Sequence, residues 1–169
     1  MKTLLPALLT TALLSSNALA NPMMEGHRIG LGFSSTDVED VSWGSGLKVE
    51  YGYDFNHIFG LNVSYAQNKD SEYGLKLDGS TFKVDTDIGY KFDLDGFAIK
   101  PFIALGFARN SEKFSFDGYS ETFNDTSMFF GFGARADINR HFYSEMRFDM
   151  PTFDSLEYDQ FSWTFGYRF

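Results

Sequence analysis

Apolar and polar residues alternate with period two in segment after segment of this chain, the pattern of β-strands whose two faces meet different surroundings. Near residues 27–34, Ile29, Leu31 and Phe33 stand against Arg28, Gly30, Gly32 and Ser34. The second segment sets Leu47, Val49, Tyr51, Tyr53 and Phe55 against Lys48, Glu50, Gly52 and Asp54, and the third sets Phe59, Leu61, Val63 and Tyr65 against Gly60, Asn62, Ser64 and Ala66. In the fourth, Phe82, Val84, Ile88, Tyr90 and Phe92 oppose Lys83, Asp85, Asp87, Gly89 and Lys91. The fifth opposes Ile99, Pro101, Ile103, Leu105 and Phe107 to Lys100, Phe102, Ala104 and Gly106. The sixth opposes Met128, Phe130, Phe132, Ala134 and Ala136 to Phe129, Gly131, Gly133, Arg135 and Asp137. Phe142, Met146, Phe148 and Met150 oppose Tyr143, Glu145, Arg147 and Asp149 in the seventh. The eighth ends the chain, with Phe161, Trp163, Phe165, Tyr167 and Phe169 opposite Ser162, Thr164, Gly166 and Arg168.

The connections alternate in length. Polar stretches of ten or more residues follow the first, third, fifth and seventh segments, whereas only Asn56–Ile58, Asp93–Gly96 and Ile138–Arg140 follow the second, fourth and sixth. Long loops on one rim and tight turns on the other are the habit of transmembrane barrels, which place both chain ends on the short-turn, periplasmic side. Since no open sheet edge survives in lipid, the strands are expected to close. The predicted fold is all-β, an eight-stranded antiparallel up-and-down transmembrane β-barrel.

Charge placement separates lipid from water. The apolar stripes carry none. The opposite faces carry Arg28, Lys48, Lys83, Lys91, Lys100, Arg135, Arg147 and Arg168 together with Glu50, Asp54, Asp85, Asp87, Asp137, Glu145 and Asp149. An eight-stranded barrel is only wide enough for side chains to fill, so these near-balanced charges are expected to form an interior ionic network. The surplus negative charge falls in the long loops, at Asp37, Glu39 and Asp40 and at Asp154, Glu157 and Asp159. A soluble sandwich or lipocalin-like barrel would show the same alternation with its charges in water. Aromatics at the ends of the stripes, the asymmetry of the connections and the apolar final strand favour the membrane.

Residues 1–20 read as a cleaved signal peptide: Lys2, an apolar stretch from Leu4 to Leu14 broken by Pro6, and Ala18-Leu19-Ala20 as the cleavage site. Export before Asn21 leaves a barrel domain of residues 21–169, and with no cysteine after the site a lipoprotein anchor is not expected. The chain has 20 Phe, 9 Tyr and 2 Trp, a heavy aromatic load, and a formal net charge of −9 that argues against nucleic-acid partners. The absence of cysteine means that no disulfide staples the fold.

The final strand, Phe161-x-Trp163-x-Phe165-x-Tyr167-x-Phe169, resembles the C-terminal signal read by the outer-membrane assembly machinery. Lys100-Pro101-Phe102 with Gly106-Phe107, then Gly131-Phe132-Gly133 and Glu145-Met146-Arg147, resemble the fifth, sixth and seventh strands of small porin-family barrels. Over residues 21–169 the chain is similar to the transmembrane domain of outer membrane protein A and to the outer membrane protein X group. That resemblance implies residence in the outer membrane of a Gram-negative bacterium. It implies assembly by the barrel machinery with periplasmic chaperones, and contact with outer-membrane lipid and lipopolysaccharide.

Catalytic chemistry is hard to find. His57 and His141 fall at short turns and His27 at the start of a strand, and Ser144, three residues after His141, is on the wrong side for a Ser–His pair. Asp85 and Asp87 share a face with Lys83 and Lys91, which favours an ionic plug over acid–base work or metal binding. The acidic loops lack the ordered ligand spacing of a calcium loop. No enzyme activity, metal or cofactor is expected. The third long loop carries Phe114, Phe116, Tyr119 and Phe123 around Asp117-Gly118, a hairpin signal and a candidate surface for an extracellular ligand. The expected function is that of a non-enzymatic barrel with a structural or surface-contact and adhesion role; the alternative is a narrow porin-like channel for ions or small solutes.

Overall fold

In the computed structural model, which describes residues 25–38, 41–72, 75–116, 119–153 and 156–169, the alternating segments form antiparallel strands that close on themselves. They are β1 (Gly26–Val38), β2 (Val41–Asp54), β3 (Phe59–Glu72), β4 (Leu75–Gly89), β6 (Ala98–Phe116), β7 (Tyr119–Asp137), β8 (Phe142–Phe153) and β9 (Leu156–Arg168), with a two-residue β5 (Phe92–Asp93). Each stave pairs with its chain neighbour, β4 pairs directly with β6, and β1 pairs with β9 to complete eight staves. The predicted fold is therefore the observed one. Residues 1–20, read as the signal peptide, lie outside the described residues.

Burial follows the alternation. Leu31 and Phe33 are 68% and 69% exposed, while Arg28 and Asp54 beside them in the wall are 0% exposed. The barrel is inverted relative to a soluble protein, greasy outside and charged within, and a lipid environment removes the cost of the exposed apolar band.

Two of the tight turns are built alike. Asn56 Oδ1 accepts from the backbone N–H groups of Ile58 (2.7 Å) and Phe59 (2.9 Å), and Asn139 Oδ1 accepts from His141 (2.8 Å) and Phe142 (3.0 Å). Such asparagine side chains stand in for a backbone turn bond. The third turn is Asp95-Gly96, both at positive φ (62° and 94°), closed by Leu94 N–H to Phe97 O at 2.7 Å. Two consecutive positive φ values match the twist of a two-residue hairpin, which is why Asp-Gly stands there. Near these turns the rings gather: His27 stacks on Phe169 and packs on Tyr53, His141 stacks on Tyr167, and His57 meets Tyr90 edge-on. All three histidines thus belong to an aromatic girdle.

The structure corrects the long loops. Polar stretches read as loops are mostly strand: β1 and β2 stay paired to Val38↔Val41, β3 and β4 to Glu72↔Leu75, and β6 and β7 to Phe116↔Tyr119. The loss of alternation marks where lipid ends, and backbone pairing continues past it because it needs no apolar side chains. The fourth strand, which starts earlier than predicted, at Leu75, also ends earlier. Its ladder with β6 stops at Gly89, and Phe92 pairs separately with Ile99.

Candidate functional site: the charged interior and the extracellular crown

Inward positions of every stave carry polar groups, and among the described residues sixteen charged side chains are buried inside, eight of each sign. Fifteen are Arg28, Lys48, Glu50, Asp54, Lys83, Asp85, Asp87, Lys91, Lys100, Arg135, Asp137, Glu145, Arg147, Asp149 and Arg168. The sixteenth, Glu112, lies in a stretch read from sequence as loop. It balances the count.

The charges form two layers. Toward the short turns, Asp54 receives Arg28 (3.4 Å), Lys91 (3.2 Å), Arg135 (3.2 Å) and Arg168 (2.6 Å). Asp87 receives Arg28 (3.3 Å), Arg135 (3.0 Å) and Lys100, and Glu145 receives Arg135 at 2.6 Å. Asp137 is held by Lys91 at 2.8 Å and by Arg168 at 3.4 Å. Above them Arg147 bridges Asp85 (3.0 Å) and Asp149 (2.6 Å), Lys83 bonds Asp149, and Lys48 bonds Glu50 at 2.7 Å. Buried charges are tolerable only in such multiply bonded sets.

Two inward side chains not singled out from sequence join the layers. Asn62 donates to Asp85 (2.9 Å) and Asp87 (3.0 Å) and accepts from Arg28. Tyr143 donates to Glu50 at 2.9 Å and offers its ring to the Arg28 guanidinium. Strand parity put both inside; the height at which they meet partners depends on tilt and register between strands. Gln160 is a third, accepting from Lys83 at 2.5 Å and donating to Thr36 at 3.0 Å. At the upper end Glu112 accepts from Asn110 (2.6 Å) and Tyr158 (3.2 Å), beside the edge-on pair Phe153–Tyr158.

The crown beyond the apolar band is uneven. β6 and β7 each run 19 residues, whereas β8 has 12. The β7–β8 ladder reaches only Phe129↔Pro151, whereas β7 runs on in register with β6 to Phe116↔Tyr119. Of the aromatic hairpin, Phe114 and Phe116 lie on β6 and Tyr119 and Phe123 on β7, with 117–118 outside the described residues. Among the described residues no group of three or more histidine or carboxylate side chains is arranged to hold a metal ion. Ser144, the serine nearest a histidine in sequence, accepts from the Trp163 indole N–H at 3.0 Å.

At the end of the closing strand, Phe169 exchanges both backbone hydrogen bonds with His27, at 3.0 and 3.1 Å. Phe161, Trp163, Phe165, Tyr167 and Phe169 all face outward, 42–66% exposed. A closed, inverted eight-stave barrel agrees with a match of residues 7–169 to the family model described as the outer membrane protein β-barrel domain. The chain belongs to that family.

Solved structures agree on the fold. Ail, the attachment invasion locus protein of Yersinia pestis, aligns at 24% identity and a TM-score of 0.65, covering 86% of this chain and 100% of Ail. The N-terminal β-barrel domain of Pseudomonas aeruginosa OprF aligns at 14% identity and 0.66, covering 86% and 99%. The outer membrane protein OprG from Pseudomonas aeruginosa aligns at 12% and 0.58, covering 86% and 97%. A search of curated protein sequences gives no match. The family and these neighbours are bacterial outer-membrane barrels.

Proposed function

We propose that this barrel works through its outer surface and not through its lumen: it is a sealed, non-enzymatic outer-membrane protein whose extracellular strands contact a ligand outside the cell. The supporting observation is the interior itself. Arg135 and Asp54 stand on opposite walls and meet at 3.2 Å, in a lumen whose sixteen buried charges among the described residues are balanced in sign. Such a fill replaces the water column that a channel needs.

The projecting β6–β7 hairpin is the natural contact element, because both strands run on past the apolar band and past the last rung of the β7–β8 ladder at Phe129↔Pro151, where an extended hairpin is open to partners outside the cell. The aromatic positions Phe114, Phe116, Tyr119 and Phe123 lie on the same hairpin. Among the neighbours, Ail carries the name attachment invasion locus protein, and it has been solved in complex with the heparin analogue sucrose octasulfate. The C-terminal aromatic strand serves as the signal for the assembly machinery, delivered by periplasmic chaperones.

The test replaces residues 114–123 by a short Gly-Ser turn, sparing Glu112, which is bonded inside the barrel. The barrel is expected to fold, and binding of whole cells to host-derived or abiotic surfaces to be lost. Binding that survives the replacement contradicts the contact role of this hairpin. Solute entry into vesicles carrying the intact protein favours the channel reading.

A further inference from the structure

The chain has 14 basic residues, and their placement is segregated. Eight are buried in the lumen, Lys2 lies outside the described residues, and Arg140 is exposed at the short turn between β7 and β8. The remaining four, Lys69, Lys76, Arg109 and Lys113, all stand on three adjacent staves, β3, β4 and β6, beyond the apolar band. We propose that the outer face of β3–β4–β6 is a binding site for the phosphate groups of a phosphorylated glycolipid in the outer leaflet, held by Arg109 in a lower tier and by Lys69 and Lys113 in an upper one.

Three observations carry this. First, Lys69, Arg109 and Lys113 are exposed on the outward side of their strands, continuing the parity of Tyr65 and Phe107. Second, the tiers match the depth of such a lipid. Arg109 faces Phe82 across the β4–β6 ladder, and Phe82 faces Tyr65, so the guanidinium begins where the apolar band ends. Lys69 and Lys113 share a higher row, each opposite Asp78 in register, where two cations against one carboxylate leave a positive surplus. Four strand residues separate the tiers, ~13 Å along the strand at ~3.3 Å per residue. A single headgroup phosphate would use only the lower tier. Third, below Arg109 an apolar concavity of about 250 Å³ opens on the lipid side between Ile29, Val49, Val63, Tyr65 and Phe82. Acyl chains lie there directly beneath the cations.

The far side of the barrel supplies the control. On the β1–β9 seam Asp37 and Asp159 are exposed and directly opposite one another, at the height where β3–β4–β6 carries cations. Phosphate is repelled there. The polarity also admits a rival occupant, since the acidic flank of a second copy complements the basic flank of the first. The tiered spacing and the apolar concavity beneath it favour the lipid, whose phosphates and acyl chains use both features at once.

The experiment titrates the refolded protein in nonionic micelles with fluorescently labelled bis-phosphorylated lipid A and with its dephosphorylated form, reading anisotropy. The phosphorylated form is expected to bind at least tenfold more tightly and to weaken as salt rises, because these pairs are exposed. The combined variant Lys69→Gln, Arg109→Gln, Lys113→Gln should lose at least tenfold, Arg109→Lys should retain binding, and Asp37→Asn with Asp159→Asn should bind as well as or better than the unaltered protein. Equal binding of the two lipids, or unaltered binding by the triple variant, overturns the proposal. So does a parallel loss in the Asp37/Asp159 variant, which assigns the basic flank to a second copy. Gel mobility before and after heating shows whether each variant is folded; should the triple variant fail, Lys69→Gln and Lys113→Gln are read singly, each with an expected loss of about threefold.

Discussion

Arg135 on β7 and Asp54 on β2 meet at 3.2 Å across the full width of the barrel, with three staves between them whichever way the wall is followed. At the next level Lys83 on β4 reaches Gln160 on β9, again on opposite walls, at 2.5 Å. These contacts tie the cylinder across its diameter as well as around its wall.

Removing one end of the lower tie should be costly. Arg135 also bonds Asp87 and Glu145, so Arg135→Met leaves three buried carboxylates short of a partner. Loss of one member of a buried charge set costs about 3–5 kcal/mol. Urea unfolding of the refolded protein in micelles checks this. Asp54→Asn added to Arg135→Met should cost less than the two separate changes together, because contacting residues couple by about 0.5–3 kcal/mol. Additive costs would mean that the two groups do not act as a pair.

The outer face should reject charge according to depth. Ile103 is outward and 42% exposed, within the apolar band, and Ile103→Arg should lower stability by about 2–4 kcal/mol if it sits near the midplane. Asn124, outward on β7 where the band has given way to polar residues, should accept lysine with a change of about 0.5 kcal/mol or less. Equal costs at the two sites in the same unfolding assay would contradict the placement of the bilayer.

The closing strand ties assembly to the last residue. Phe169 exchanges two backbone hydrogen bonds with His27 and stacks on its ring at 5.6 Å, completing the β1–β9 seam. Deleting Phe169 is expected to reduce the heat-modifiable, folded form in outer-membrane fractions while export continues. Unchanged yield on gels of heated and unheated membranes would remove the assembly role of this strand.

How much of this was legible in sequence differs by feature. The staves were legible because lipid imposes period two on side chains such as Ile29, Leu31 and Phe33, and the same parity put Arg28 and Asp54 on the inner wall. Strand ends were not, since from Asn110 to Lys113 the residues are polar on both faces while β6 still pairs with β7 to Phe116. Glu112 was hidden for that reason: it looks like a loop acid and is instead 8% exposed inside the mouth. Partners across the lumen were beyond reach as well. Parity assigns Asn62, Tyr143 and Gln160 a face, but which opposite wall each touches depends on tilt and register summed over several strands.

The central claim, a barrel sealed by its own charges, is tested most directly by single-channel recording of the full-length refolded protein in planar bilayers. The interior, tied by Arg135–Asp54 and Lys83–Gln160, predicts no stable conductance above the noise of the bare bilayer. A steady, voltage-stable open level in the porin range would contradict it and assign the protein to solute passage.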